Sequence, residues 1–499
     1  MASLAAELTA PNGRQISLPT GLFINNEFVP AAKSQQLTSI NPADETPIVT
    51  VHAATAEDVD IAVTAARAAF SNPEWADLDT SHRGKLIYRL AQLIRAHRKD
   101  LATLEAWDNG KPYRVALEED LEEVISCLEY YAGWADKIHG QVVQGASEKL
   151  IYTVREPVGV CGQIIPWNYP LSMASWKLGP ALACGNTIIL KPAEQTPLSA
   201  LYLAKLIKEA GFPAGVVNVL NGFGHQVGAA IASHPGIDKI AFTGSTATGR
   251  EVMKLAAGTL KNITLETGGK SPLIVFDDAD PGQAAKWAQI GIMSNMGQIC
   301  TASSRVFVQD TIYDRFLALF LEQVREAGVV GDPFDESVTH GPQISRLQYE
   351  RILGHIQQAK KEGANLLLGG EPEPGRKGYF IPPTVFTDVT DDMTIYREEV
   401  FGPVVVVCKF STEQEVIQRA NDTIYGLAGA VFTENITKGH RVARKIQAGS
   451  VWVNSTIDGD IRAPFGGYKQ SGIGHELGEA GLAAYSTVKS VFVNLGLRI

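Results

Sequence analysis

Long apolar runs are missing from this 499-residue chain: stretches such as Val404-Val405-Val406-Val407-Cys408 fall far below a membrane span. Residues 1–21 lack a basic start leading into an apolar core, and Glu7 is out of place in a transit peptide. The last three residues, Leu497-Arg498-Ile499, form no peroxisomal address. A cytoplasmic location is therefore expected. Positive charge is in deficit, with 44 Lys and Arg against 54 Asp and Glu and a net charge of −10. That balance argues against a nucleic-acid polyanion as partner. Cysteine is scarce: the five residues Cys127, Cys161, Cys184, Cys300 and Cys408 are scattered, odd in number and never spaced C-x-x-C. This excludes a disulfide framework and suits reduced thiols. With no H-E-x-x-H and no Cys/His cluster, no metal site is expected.

What remains is an ordinary globular composition, 45% hydrophobic and 20% charged, at a length that implies two or three domains. Short strands near residues 22–29 precede helical spacing over 56–70 and 86–94. From residue 158 onward apolar strand-like runs alternate with helical segments, at 158–165, 187–190, 216–220, 239–242 and 263–265. Repeated βαβ units imply a parallel sheet. Thr196-Pro197 reads as an N-cap and first turn of a helix closed by Gly211. A second α/β set runs from Pro272 to about Pro464, beginning with the apolar run 273–276, which puts the boundary at Gly268-Gly269. Two turn-poor segments, 141–154 and 488–495, are far apart in sequence and read as an extended arm able to pair with another subunit.

The chemistry concentrates in two segments. Cys300 lies in Asn295-Met296-Gly297-Gln298-Ile299-Cys300-Thr301, and Glu266, 34 residues upstream, lies in Leu265-Glu266-Thr267-Gly268-Gly269-Lys270. A thiol can attack an electrophilic carbon and a carboxylate can activate the water that releases product. Phe242 to Gly249, with Gly244, Ser245, Thr246 and Gly249, reads as strand, tight turn and helix start, whose free N–H groups attract phosphate. Gly222, Gly224 and Gly228 form a looser glycine cluster.

Read together with Ile164-Ile165-Pro166-Trp167-Asn168-Tyr169-Pro170, Lys191-Pro192-Ala193-Glu194, Glu399-Val400-Phe401-Gly402-Pro403 and Pro464-Phe465-Gly466-Gly467, these segments strongly resemble the NAD(P)-dependent aldehyde dehydrogenase superfamily over essentially the whole chain. The resemblance implies an α/β architecture: a Rossmann-like cofactor domain (1–137 and 158–267), a second α/β catalytic domain (268–475) and a small β oligomerisation arm (138–157 with 480–499). It implies that Cys300 is the nucleophile, that Asn168 and the Cys300 N–H hold the oxyanion, that Glu266 activates water, and that Lys177 supports that second step electrostatically. Ile164, Trp167, Lys191, Glu194, Gly224, Gly244, Ser245, Thr246, Gly249, Gln348, Glu399 and Phe401 are implied cofactor contacts. A carboxylate at Glu194 would accept both ribose hydroxyls and repel a 2′-phosphate, favouring NAD over NADP. Tyr169, Met173, Trp176, Ile299, Thr301 and Phe465 are implied walls of the aldehyde tunnel.

Two positions depart from the family pattern. Thr267 replaces a common Leu. Ile457-Asp458-Gly459-Asp460 reads either as a solvated loop or as two carboxylates and a glycine that widen the tunnel mouth and favour polar or cationic aldehydes such as aminoaldehydes. The expected protein is a homodimeric or homotetrameric, NAD-preferring enzyme with a small aldehyde as its partner, no membrane and no nucleic acid. A cysteine ester hydrolase, or a non-catalytic binding or structural relative, is the competing reading.

Overall fold

The computed structural model describes residues 4–496 and Arg498. Readings that touch residues 1–3, Leu497 or Ile499 lie outside the described residues. Five parallel strands form the middle of an eight-stranded sheet, in the spatial order Asn262–Glu266, Lys239–Thr243, Val160–Ile164, Thr187–Lys191, Val217–Val219. The chain starts this set at its centre, winds outward through the strands at 187 and 217, then returns to build the other half. The reversal falls between Val160–Ile164 and Lys239–Thr243, which pair directly. A ligand crevice opens at such a switch point, beyond the carboxyl ends of the strands.

These strands are apolar on both faces because helices cover both. Ile188 and Leu190 belong to one buried cluster and Ile189, between them, to the cluster on the opposite face. Each fully buried Leu or Ile contributes roughly 1.5–3 kcal/mol of burial, so the register is firmly set. The helices Ala56–Ser71 and Thr80–Ala96 appear where the spacing predicts them. The helix expected to start at Thr196 begins instead at Leu198. Thr196 Oγ1 is buried without a partner, and the free Leu198 N–H is taken by Asp108 Oδ2 at 3.1 Å. A carboxylate distant in sequence has replaced the local cap. Gly211 closes the helix in a left-handed conformation, as expected.

A seven-stranded sheet follows, parallel from Thr384–Thr387 through Val404–Phe410, Arg305–Gln309, Pro272–Val275 and Ala428–Phe432 to Ser450–Val453. Its strand Pro272–Val275 starts six residues after the strand ending at Glu266. The carboxyl ends of the first sheet thus run directly into the amino ends of the second. Cys300 precedes Arg305–Gln309 and Glu399 precedes Val404–Phe410, so both sit at that junction. The chain later crosses back: Gly472–Ile473, within the range expected for the second unit, pairs antiparallel with Leu265 and Glu266 at the edge of the first sheet. The expected arm forms from Lys149–Pro157 and Ser486–Asn494, paired antiparallel over nine residues each, with Val142–Val143 on the outer edge.

Candidate active site

The Cys300 loop is built on strain. Helix Pro281–Met293 ends in a turn where Asn295, Met296 and Gly297 have φ of 46°, 56° and 72°. Left-handed backbone at a non-glycine residue costs about 1–3 kcal/mol and persists only where surroundings over-determine it. At Gly297 glycine is required twice, by its φ and because a Cβ there would collide with the Gly402 carbonyl. Gly297→Ala is accordingly expected to lower unfolding free energy by at least about 1–2 kcal/mol in urea titration, and to lower activity with it. The turn delivers Cys300 half-buried, while the other four thiols are buried. Burial first, then the charges of Glu399 and Glu266, push its thiol up to about 12, partly offset by the Thr301 and Cys300 N–H groups.

Asn168 comes to this loop from the first unit. It follows the strand Val160–Ile164 and is 6% exposed. Its Nδ2 donates to the Gln298 carbonyl at 2.9 Å, which holds the amide against the Cys300 segment. An amide nitrogen carries two hydrogens, so one donor remains for an oxygen developing on a substrate.

Glu266 ends its strand with a backbone fixed by the sheet: its carbonyl accepts from Gly244 N–H at 3.1 Å. Its side chain is 2% exposed, and both oxygens are buried without a hydrogen-bond partner. A buried polar group left without a partner calls for a physical account, and a catalytic task is one. Burial, then the neighbouring Glu476 charge, raise its pKa well above the usual carboxylate range, against the pull of Lys177. Lys177 Nζ, fully buried on helix Pro170–Ala183, donates to Thr243 Oγ1 at 2.6 Å and pairs with Glu476 Oε1 at 2.7 Å. Two carboxylates therefore share the field of one ammonium.

Of the expected cofactor residues, Ile164, Lys191, Glu194, Gly244 and Ser245 lie at or just beyond the carboxyl ends of the first sheet's strands. Lys191 Nζ donates to the Pro192 carbonyl at 2.9 Å and lies 3.5 Å from Glu194 Oε2. A side chain on Gly224 would stand 3.8 Å from that carboxylate, so the glycine keeps the space over Glu194 open. Ile164 and Lys191 flank Gly228 in the same way. Ser245 caps helix Thr246–Ala256 by accepting from Thr248 N–H at 3.2 Å, and the first turn of that helix includes Gly249. Trp167 packs edge-on against Phe401, ring centroids 5.3 Å apart. Glu399 Oε1 accepts from Gly269 N–H at 2.9 Å, and burial raises its pKa to about 7. Gln348 spends its amide on the loop, donating to Phe401 O at 2.9 Å and Val400 O at 3.3 Å, so its visible role is to hold Phe401 at φ 55°. A ribose hydroxyl pair against Glu194 and Lys191, and phosphates at a capped helix start, suit a nicotinamide dinucleotide.

A family model described as Aldehyde dehydrogenase family matches residues 28–491. An aldehyde dehydrogenase of Emericella nidulans is 55% identical over 479 residues, 96% of each chain. The human mitochondrial aldehyde dehydrogenase is 52% identical over 497 residues, 99% of this chain and 96% of the other. The NAD+ complex of aldehyde dehydrogenase from Bacillus cereus superposes with a TM-score of 0.94 at 53% identity, covering 96% of this chain and 97% of that one.

The chain belongs to the aldehyde dehydrogenase family. It is an oxidoreductase acting on aldehydes, with the family's fold. Three of the residues expected to wall an aldehyde tunnel lie along one helix face. Tyr169, Met173 and Trp176 are half-buried while Leu171, Ser172, Ala174, Ser175 and Lys177 are buried. Spacings of four and three residues align those three along one stripe leading away from Asn168. Phe465 stacks edge-on against Trp176 at 5.1 Å, and the buried Ile299 and Thr301 flank Cys300. At the expected mouth Asp458 is exposed, and its carbonyl accepts from Trp452 Nε1 at 2.7 Å. Asp460 is bound by its neighbour Arg462, Nε to Oδ1 at 2.8 Å. The expected pair of free carboxylates is thus reduced to Asp458. Thr267 uses its hydroxyl to donate to the Gln470 carbonyl at 2.7 Å, a polar tie in place of an apolar contact.

Several residues of the site carry no local sequence signal. Glu476 reaches Lys177 from the far end of the chain. Glu123 Oε1 accepts from Trp176 Nε1 at 2.8 Å, and the Lys111 ammonium, paired with Asp120, lies 4.1 Å from the centre of the Tyr169 ring. Asn109 Nδ2 donates to Trp167 O at 2.6 Å.

Proposed function

We propose that the protein oxidises an aldehyde to a carboxylic acid through covalent attachment to Cys300. The observation that carries this reading is the orphaned Glu266 carboxylate, buried within electrostatic reach of the half-buried Cys300 thiol. Cys300 Sγ adds to the aldehyde carbon as its proton passes to solvent and the carbonyl π pair moves onto oxygen, giving the tetrahedral thiohemiacetal oxyanion. The free N–H of Asn168 and the Cys300 backbone N–H stabilise the oxyanion, an effect typically worth about 3 kcal/mol of barrier per donor. The bound dinucleotide supplies the hydride acceptor. Hydride loss from the tetrahedral carbon leaves an acyl thioester on Cys300. Glu266 then takes a proton from water as the water oxygen attacks the acyl carbon, the C–S bond breaks, and the departing thiolate takes up a proton from solvent to return the thiol. Lys177 and Glu476 set how readily Glu266 holds that proton.

The Glu194 carboxylate beside Lys191 favours NAD over NADP in this reading, because it accepts ribose hydroxyls and repels a 2′-phosphate. The arm supports self-association. Val142, Val143, Leu150, Val488, Phe492 and Leu495 are exposed apolar residues on or beside its three strands, a patch that a second copy of the chain would cover in a homodimer or homotetramer. The test is absorbance of reduced cofactor when purified protein is mixed with an aldehyde panel and either NAD or NADP. Reduction that is faster with NAD is expected. No reduction of either cofactor by any aldehyde would remove the reading.

A further inference from the structure

Within the proposed reaction, which this inference rests on, the oxyanion donor of Asn168 works only if its free N–H points at the reacting oxygen. Nothing in the Asn168 side chain itself fixes that direction; the acceptor of its other N–H does. That acceptor is the Gln298 carbonyl, at 2.9 Å. When one hydrogen of a planar amide is directed at a carbonyl, the second is fixed about 120° away, so the position of Gln298 O aims the amide. Gln298 O is itself held by Asn295, whose Nδ2 donates to it at 3.2 Å. The same Asn295 nitrogen donates to the Asn168 backbone carbonyl at 3.1 Å. One amide therefore grips both ends of the Asn168 arrangement: the backbone from which the side chain projects and the carbonyl toward which it points. Asn109 adds a weaker hold on Asn168 O at 3.4 Å and a short one, 2.6 Å, on Trp167 O. Asn295, Asn168 and Gln298 are all buried. The left-handed conformation at Asn295, one that asparagine tolerates better than most residues, brings its side chain to this point.

We infer that Asn295 is a positioning residue: its amide clamps the Asn168 and Gln298 carbonyls and so aims the oxyanion-binding N–H of Asn168 at the substrate on Cys300.

Asn295→Gly deletes the clamp while keeping a residue at ease with positive φ. It is expected to lower kcat for aldehyde oxidation on the order of tenfold or more, less than deletion of the donor itself. The KM for the dinucleotide and the rate at which iodoacetamide alkylates Cys300 are expected to stay within about threefold, because neither depends on the oxyanion. The deciding measurement is a double-mutant cycle with Asn168→Ala. A residue that acts only by aiming Asn168 has nothing left to aim once that amide is gone, so Asn295→Gly in the Asn168→Ala background should change kcat by less than about twofold. Losses that multiply, an unchanged kcat in the single variant, or a parallel collapse of alkylation and turnover would each overturn the assignment. Should Asn295→Gly not fold, Asn109→Ala, which removes a separate donor to the same Asn168 carbonyl, enters the same cycle with the same expected coupling. Wild-type protein that oxidises no aldehyde sinks the underlying reaction and this proposal with it. Wild-type turnover with multiplicative losses sinks this proposal alone.

Discussion

Cys300→Ala is expected to abolish aldehyde oxidation, lowering kcat by at least about 10⁴-fold, the scale seen when a covalent nucleophile is removed. An aldehyde does not readily surrender hydride, whereas its tetrahedral thiol adduct does, so oriented binding alone cannot replace the sulfur. No other cysteine can substitute, since Cys127, Cys161, Cys184 and Cys408 are buried. Cofactor binding should survive, because Lys191, Glu194, Gly224 and the helix start at Thr246 belong to the first unit, not to the Cys300 loop. Fluorescence titration with NAD would show this. The thiol also sets a pH dependence. With its pKa pushed up to about 12 by burial and by Glu399 and Glu266, Cys300 is protonated at neutral pH. The reactive thiolate fraction therefore grows as pH rises, and kcat/KM should climb on the alkaline side of neutrality in steady-state assays.

Glu266→Gln should lower steady-state turnover by about 10²–10⁴-fold, the span of general-base contributions, while sparing the first half of the reaction. Its signature is a burst: one reduced cofactor per active site forms quickly, then turnover stalls at the thioester. The neutral amide fits the same space and loses only the ability to take a proton. The pH dependence follows from the direction of the shift. Burial and the Glu476 charge raise the Glu266 pKa, so it stays protonated, and unable to act as base, to higher pH than an ordinary carboxylate. Hydrolysis should speed up as pH rises through that elevated pKa and slow as pH falls below it. Stopped-flow absorbance across pH separates this step from the burst. Loss of the burst together with steady-state turnover would show that Glu266 acts before hydride transfer, contrary to the assignment.

The parts of this molecule that short sequence segments reveal are those whose chemistry is local. The strand–turn–helix at Phe242 to Gly249, the apolar runs of the first sheet and the Glu266 and Cys300 segments each have a pattern that the backbone there requires. The resemblance to the family extended these into a site by placing Asn168, Lys177 and Glu399 beside them. What stayed hidden depends on contacts between distant residues. Glu476 lies 299 positions after Lys177 and becomes meaningful only when the chain crosses back to the first sheet. Asn109 and Asn295 converge on Asn168 from either side, 59 and 127 residues away. Asp460 looked like a free carboxylate because its pairing with Arg462 is a matter of loop conformation, not of composition. The helix cap misread at Thr196 has the same origin: Asp108, 90 residues earlier, supplies the acceptor for Leu198.

Covalent catalysis by Cys300 is tested most directly by trapping the intermediate. Glu266→Gln protein mixed with aldehyde and NAD, quenched in acid within the burst and digested, would be read by peptide mass spectrometry. The account predicts that the peptide containing Cys300 gains the acyl group of the aldehyde, at a stoichiometry matching the reduced cofactor formed. Stoichiometric cofactor reduction with Cys300 unmodified, or with the acyl group on another residue, would contradict it.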